Sequence, residues 1–236
     1  HSFTVTATDG ASNTSTTGTL TVSVNDADEV DPVITTSGIV SSINDGATSL
    51  GSVSANETVS WSVSGSGISI NSSGAVTLDS SADAGTAASH SFTVTATDSA
   101  SNSSTSGTLT VSVNDTTAPV ISLKGSSPIT LQIGTAYSES GATAADNKDG
   151  NISDSISVDS SSVDVNKVGT YSVTYNVSDS AGNAATQVTR TVNIGADSTI
   201  PVITLLGDAA VSKAQGTGYA DAGATASDNY DGDITS

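Results

Sequence analysis

The sequence predicts an all-β chain, with tandem antiparallel β-sandwiches strung into a rod. Three observations carry this reading. Apolar residues alternate with Thr and Ser at a period of two, the pattern of half-buried strands. No stretch shows the spacing of an amphipathic helix. Two long segments recur, at offsets of 89 and 82 residues, which are too long for a solenoid turn and suit whole domains.

The repeats place the boundaries. "HSFTVTATDGASNTSTTGTLTVSVND", His1 to Asp26, returns as "HSFTVTATDSASNSSTSGTLTVSVND", His90 to Asp115, with differences only at Gly10/Ser99, Thr14/Ser103 and Thr17/Ser106. "GTAYSESGATAADNKDGNIS", from Gly134, returns as "GTGYADAGATASDNYDGDIT", from Gly216, with Pro119 and Pro201 in register. Pro32, Pro119 and Pro201 each open a "PVI" after a polar joint, and a proline suits an edge strand that does not need its N–H. Residues 1–28 therefore read as the closing part of one domain and 29–115 as a complete domain. Residues 116–197 read as a complete domain of a second type and 198–236 as the opening part of another. Both chain ends fall inside domains, so the natural protein is expected to be longer.

Composition sets limits. Of 236 residues only 3% are aromatic, and Met and Cys are absent, so the core must be built from Val, Ile, Leu and Ala. Such thin cores fit small sandwiches better than one large globule. The 24 acidic residues outnumber five basic ones, giving a net charge of -19. That excludes nucleic acid as a partner, because phosphates call for Lys and Arg, and it disfavours anionic membrane surfaces. No apolar run is long enough to insert directly in a membrane, and a disulfide framework is impossible.

Along the chain, Phe92, Val94 and Ala96 form one alternating strand and Leu109, Val111 and Val113 another, with the turn-rich connection "DSASNSSTSG" between them. Trp61, with Val59 and Val63, is expected to anchor the first core. Tyr171, Val173, Tyr175 and Val177 repeat the alternation in the second domain, ahead of "SDSAGNAAT" and a strand from Val188 to Ile194. Arg190, the chain's only arginine, shares parity with Val188 and Val192, so it is expected to point inward and pair with an aspartate such as Asp146.

"FTVTATDSASN" followed by "LTVSVNDTTAP" resembles the closing strands of cadherin-like and bacterial Ig-like repeats from large surface proteins. The 116–197 unit, with "PVISLKG", "GATAADNKDGNIS" and "VGTYSVTYNVSDSAGNAATQVTRTVNI", resembles the crystal-toxin-type bacterial Ig-like domain, related in style to hyalin repeats. The resemblance implies an Ig-like/cadherin-like sandwich of about seven strands, used as a spacer or adhesive module. It implies no catalysis.

The inventory agrees with a non-enzyme. A serine nucleophile needs a base, yet the two histidines, His1 and His90, occupy one repeated position before a strand. Calcium is the chemical hypothesis with content, because it takes 6–8 oxygen ligands and can fasten domain joints. The first joint offers Asp26, Asp28, Glu29 and Asp31, with Asp9 at the neighbouring turn. The second offers Asn114 and Asp115, with Asp98 equivalent to Asp9. The linker and glutamate motifs of true cadherins are shortened or replaced here. Asp9, Asp98 and Asp179 equally suit Asx caps on their own turns, helped by Asn13, Asn102 and Asn183. The "DNKDGN" loop from Asp146 and its copy from Asp228 suit either a cation or an acidic turn, and their glycine falls at the wrong position for an EF-hand. Lys124 and Lys148 align with Leu206 and Tyr230, so a recurring Lys–Asn isopeptide bond is not expected.

The expected function is a non-catalytic extracellular or cell-surface repeat segment of a large bacterial adhesin or matrix protein. It acts as a stalk whose partners are calcium ions and neighbouring repeats. The alternative is a subunit that assembles with other copies of itself into a filament, sheath or surface layer. An accessory carbohydrate-binding role is the third reading, and few aromatics are available for it.

Overall fold

The computed structural model describes residues 1–23 and 29–236. Among these residues there is no α-helix, and the chain divides into two compact units. The first comprises residues 1–83 and 87–114; the second comprises 84–86 and 115–236. The split at Asn114/Asp115 assigns Asp115 to the second unit, whereas the repeats placed it last in the domain before.

The first unit opens with four short strands, β1 (Ser2–Phe3), β2 (Thr6–Thr8), β3 (Thr14–Thr16) and β4 (Leu20–Thr21), paired β1 to β4 and β2 to β3. The sandwich that follows contains β5 (Ile34–Thr35), β6 (Ser42–Asn44), β7 (Ser49–Ser52), β8 (Ser54–Ala55), β9 (Ser60–Ser64), β10 (Ile68–Ile70), β11 (Ala75–Leu78), β12 (Ser89–Thr97), β13 (Ser103–Thr105) and β14 (Leu109–Asn114). One face is the sheet β10-β11-β7. Opposite it, β12 pairs with β14 through its first half and with β9 and β13 through its second. The connection after β12 thus contains a strand of its own, β13, because its Ser and Thr run finds the free edge of β12.

The alternation predicted for these strands is what builds the core. Phe92, Val94, Ala96, Val111 and Val113 are buried, as are Leu50, Val76 and Ile68 of the sheet β10-β11-β7. Gly51, at φ 103°, is required here: a Cβ would lie 2.1 Å from the Gly38 carbonyl oxygen. Trp61 is only half-buried, so it does not anchor the core as expected. Among the described residues its strand, β9, pairs only with β12, and at that edge Trp61 lines an open cleft with Val53 and Glu57.

The second unit contains β15 (Val120–Leu123), β16 (Ile129–Gln132), β17 (Ala142–Asp146), β18 (Gly150–Asn151), β19 (Ser157–Asp159), β20 (Gly169–Asn176) and β21 (Val188–Gly195), with one turn of 3₁₀ helix at Ser153–Ser155. The sheet β15-β17-β18 faces the sheet β16-β21-β20-β19 across Ile121, Ala144, Val173, Tyr175, Val177, Val192 and Ile194. Beyond them, β22 (Val202–Leu205), β23 (Ala224–Asp228) and β24 (Gly232–Asp233) repeat the first of these sheets.

Among the described residues, pairing is antiparallel apart from two ladders, β6 with β14 and β16 with β21. In each sandwich the opening strand is split. Its first part, β5 or β15, pairs in one sheet, and its second part, β6 or β16, crosses to the other and runs parallel with the closing strand.

Arg190 points inward as predicted and is 0% exposed, but its partner is Glu139 and not Asp146. Nε lies 3.1 Å from Glu139 Oε1 and donates to the Tyr175 hydroxyl at 3.0 Å. The remaining guanidinium nitrogens donate to the carbonyls of Lys124, Ser126 and Gly141. Glu139 also accepts from the hydroxyls of Tyr137 and Tyr175 and from the Gly141 N–H. Sequence parity located the arginine; its partner came from a loop that parity does not describe.

Partial burial of Glu139 opposes its ionisation, but the hydrogen bonds from Tyr137, Tyr175 and Gly141 and the Arg190 charge outweigh this and hold its pKa below the ordinary glutamate value. A depressed carboxylate contributes stability that is fully present above the unfolded-state pKa and lost as pH falls through the folded one. The urea midpoint of the second sandwich is therefore expected to hold from neutrality down to about pH 5 and to fall below about pH 4. Glu139→Gln should flatten that acid limb; an unchanged limb would remove Glu139 as its source.

Candidate metal centre

The turn after β12 and the turn after β20 have one design, seen first in the opening hairpin as D-x-A-x-N. Asp9, Asp98 and Asp179 each accept the backbone N–H and the side-chain Nδ2 of the asparagine four residues on. The residue before that asparagine is left-handed: Ser12 at φ 64°, Ser101 at φ 77° and Gly182 at φ 93°. Glycine fits this conformation and serine is strained in it. Ser101→Gly is thus expected to stabilise the first sandwich by up to about 1 kcal/mol, and a lowered melting temperature would refute the strain.

The hydrogen bonds lower the pKa of all three aspartates. For Asp9 and Asp98 the largest cause is the asparagine side chain. For Asp179 it is burial, which acts the other way and is outweighed by the bonds from Asn183, Gly182 and Ala181. All three turns hold an ionised carboxylate in place. The cap reading holds for each of them.

At one of these turns the carboxylate has company. Asp115, Asp146 and Asp179 place one carboxylate oxygen each within 4.8 Å of one another, the group of three that the described residues contain. Asp115 enters from the start of the second unit, its Oδ1 accepting the Thr117 N–H. Asp146 closes β17, and its Oδ1 accepts the N–H groups of Lys148 and Asp149. Asn183 joins the pieces, since Nδ2 donates to Asp179 Oδ2 and reaches the carbonyls of Asp115 and Thr117. Asp149 joins the other two loops by accepting the N–H and hydroxyl of Ser180.

The fit to a cation rests on Asp146. It is 9% exposed, and its Oδ2 is buried with no hydrogen-bond partner. A buried carboxylate oxygen is costly to leave bare, and the Asp146 carboxylate stands with two others, one oxygen of each within 4.8 Å. A donor set made only of oxygen selects a hard divalent ion such as Ca²⁺ or Mg²⁺ over Zn²⁺ or Cu²⁺.

Half of the arrangement recurs in the next repeat. Asp197 Oδ1 accepts the Thr199 N–H, and Asp228 Oδ1 accepts the N–H groups of Tyr230 and Asp231. Those two backbone bonds, with a smaller contribution from a hydrogen bond to Asp197, lower the pKa of Asp228, whose Oδ2 is again buried without a partner.

The other predicted ligands lie elsewhere. Asp9 and Asp98 sit on their own turns. Asn114 ends β14, and its Nδ2 donates to Ser42 and Asn44. Glu29 is exposed, and Asp31 lines a groove with Pro32, Ile34 and Leu109. Asp26 and Asp28 lie outside the described residues. The sequence left the Asp146 loop open between cation and turn and read Asp179 as a cap; their meeting was not legible, because it joins two loops 33 residues apart.

Fold and site together define a chain of tandem Ig-like β-sandwiches, the second of which carries an all-oxygen acidic cluster. Residues 121–194 match the family model described as bacterial surface protein, Ig-like domain. No curated protein matches the chain. Among solved structures, a lipoprotein of Bacteroides thetaiotaomicron is 29% identical over 35% of this chain and 40% of its own, with a TM-score of 0.30. The protocadherin gammaB4 extracellular domain is 15% identical over 99% of this chain and 48% of its own, TM-score 0.48. Drosophila N-cadherin EC1-4 is 19% identical over 71% and 50%, also with TM-score 0.48. The chain spans about half the length of these two ectodomains.

Proposed function

We propose that this chain is a non-catalytic, extracellular spacer segment of a bacterial surface protein, and that its second unit binds calcium through Asp115, Asp146 and Asp179. The observation that carries the cation is the buried, partnerless Oδ2 of Asp146, on a carboxylate grouped with two others. The surface location is supported by the family match of residues 121–194.

The chain leaves the first unit at Asn114 and enters the second at Asp115. An ion gripping Asp115 together with two loops of the second unit removes freedom from the connecting backbone, so the stalk stiffens. It also offsets part of the repulsion within a chain of net charge -19. Small-angle scattering of the chain in chelator and then in millimolar calcium tests this. A longer maximum dimension or narrower distance distribution with calcium is expected, and superimposable profiles would overturn the stiffening.

A further inference from the structure

We propose that the second sandwich is built to bear tension and that Arg190 is its latch, an inference that rests on the spacer reading for the presence of a load along the chain. The argument begins with strand direction. β16 and β21 are parallel, registered from Ile129↔Val192 to Gln132↔Gly195. Load entering before β16 pulls it backwards along its axis, and load leaving after β21 pulls that strand forwards. The ladder is sheared, so its hydrogen bonds must yield together; an antiparallel pair of terminal strands would open one bond at a time.

Arg190 adds a second connection across the same two paths. It sits on β21, and its guanidinium donates to the carbonyls of Lys124 and Ser126, both at 2.6 Å. These two residues lie in the crossing between β15 and β16, so the incoming backbone is tied directly to the outgoing strand. The Thr191 N–H, one residue on, donates to Ser127 Oγ in the same crossing. Because Arg190 is fully buried, water cannot compete for its bonds while the sandwich is intact. The ion pair with Glu139 and the Tyr175 ring, 5.9 Å from the guanidinium carbon, hold the head group in place.

The first sandwich supplies an internal comparison. It has the same parallel closure, β6 with β14, over three registered pairs, and it has no arginine. With fewer pairs and no latch it is the weaker link.

The test is constant-force unfolding of the full chain, in chelator, with handles on introduced cysteines; the chain has none of its own. With both ends held, the second sandwich is expected to outlast the first, and Arg190→Lys, which keeps the charge but loses the fork, to shorten its lifetime by about tenfold. With the load applied between Ser160→Cys and the C-terminal end, β19 peels without loading the crossing, and Arg190→Lys is expected to change the lifetime by less than about twofold. Equal acceleration in both geometries would make Arg190 an ordinary core group and overturn the latch. If Arg190→Lys does not fold, Ser127→Ala must shorten the end-to-end lifetime of the same sandwich, and no change overturns the proposal. Working in chelator keeps the readings apart. Scattering insensitive to calcium sinks the stiffening and leaves the latch standing, whereas direction-independent lifetimes sink the latch alone.

Discussion

Arg190→Met is expected to destabilise the second sandwich by about 3–5 kcal/mol, the largest effect of any single substitution here. The variant fills similar space but leaves Glu139 in its partly buried site without the positive charge, and strands the carbonyls of Lys124, Ser126 and Gly141. Glu139→Gln in the Arg190→Met background should recover part of that loss by removing the uncompensated charge. The measurement is urea unfolding followed by fluorescence of Tyr171 and Tyr175, and a shift of less than about 1 kcal/mol would show the cluster to be dispensable. The expectation concerns equilibrium stability, so it is separate from the direction-dependence that defines a latch.

The second large effect concerns Asp146. In excess calcium, at about 100 times the dissociation constant, the second sandwich should gain about 2.7 kcal/mol. Asp146→Asn keeps an Oδ1 able to accept from Lys148 and Asp149 while removing one charge from the cluster. Two signs should therefore differ. In chelator the variant is expected to melt at or above the parent temperature, since three carboxylates within 4.8 Å repel one another. In calcium it should lose the stabilisation that the parent gains. A variant that still gains in calcium would place the ion elsewhere, and Asp9→Asn, at a turn outside the group of three, is the control expected to respond like the parent. Asp149→Ala, which frees the loop bonded to Ser180 without touching the three carboxylates, should weaken calcium binding by at least about tenfold in titration calorimetry.

Much of the fold was legible because period-two alternation is a local signal. Val94 and Val111, Val173 and Val192 are all buried where their parity put them. The errors came where a side chain's surroundings depend on which strand lies opposite. Trp61 has the right parity but stands at an edge, and the run after Asp98 was read as loop but pairs as β13. The candidate site shows the same division. Asp115 and Asp98 were named as ligands from the joint, with Asx capping as the alternative for Asp98 and Asp179, and the Asp146 loop was left open between turn and cation. Joint-centred reasoning spread its ligands over neighbours in sequence, whereas the three carboxylates that meet here come from separate segments of the chain.

The clearest measure of the difference is the pair of near-identical hairpins. Sequence alone determined their strands, their register and the D-x-A-x-N turn: Phe3 faces Leu20 as Phe92 faces Leu109, and Asp9 is clasped by Asn13 as Asp98 is by Asn102. Phe92, within a complete sandwich, is 2% exposed. Backbone pairing and turn chemistry depend on residues within one hairpin, so they travel with the sequence. Burial, the partner of Arg190 and the meeting of Asp115, Asp146 and Asp179 depend on a second sheet or loop arriving from elsewhere in the chain, and only the tertiary structure brings it there.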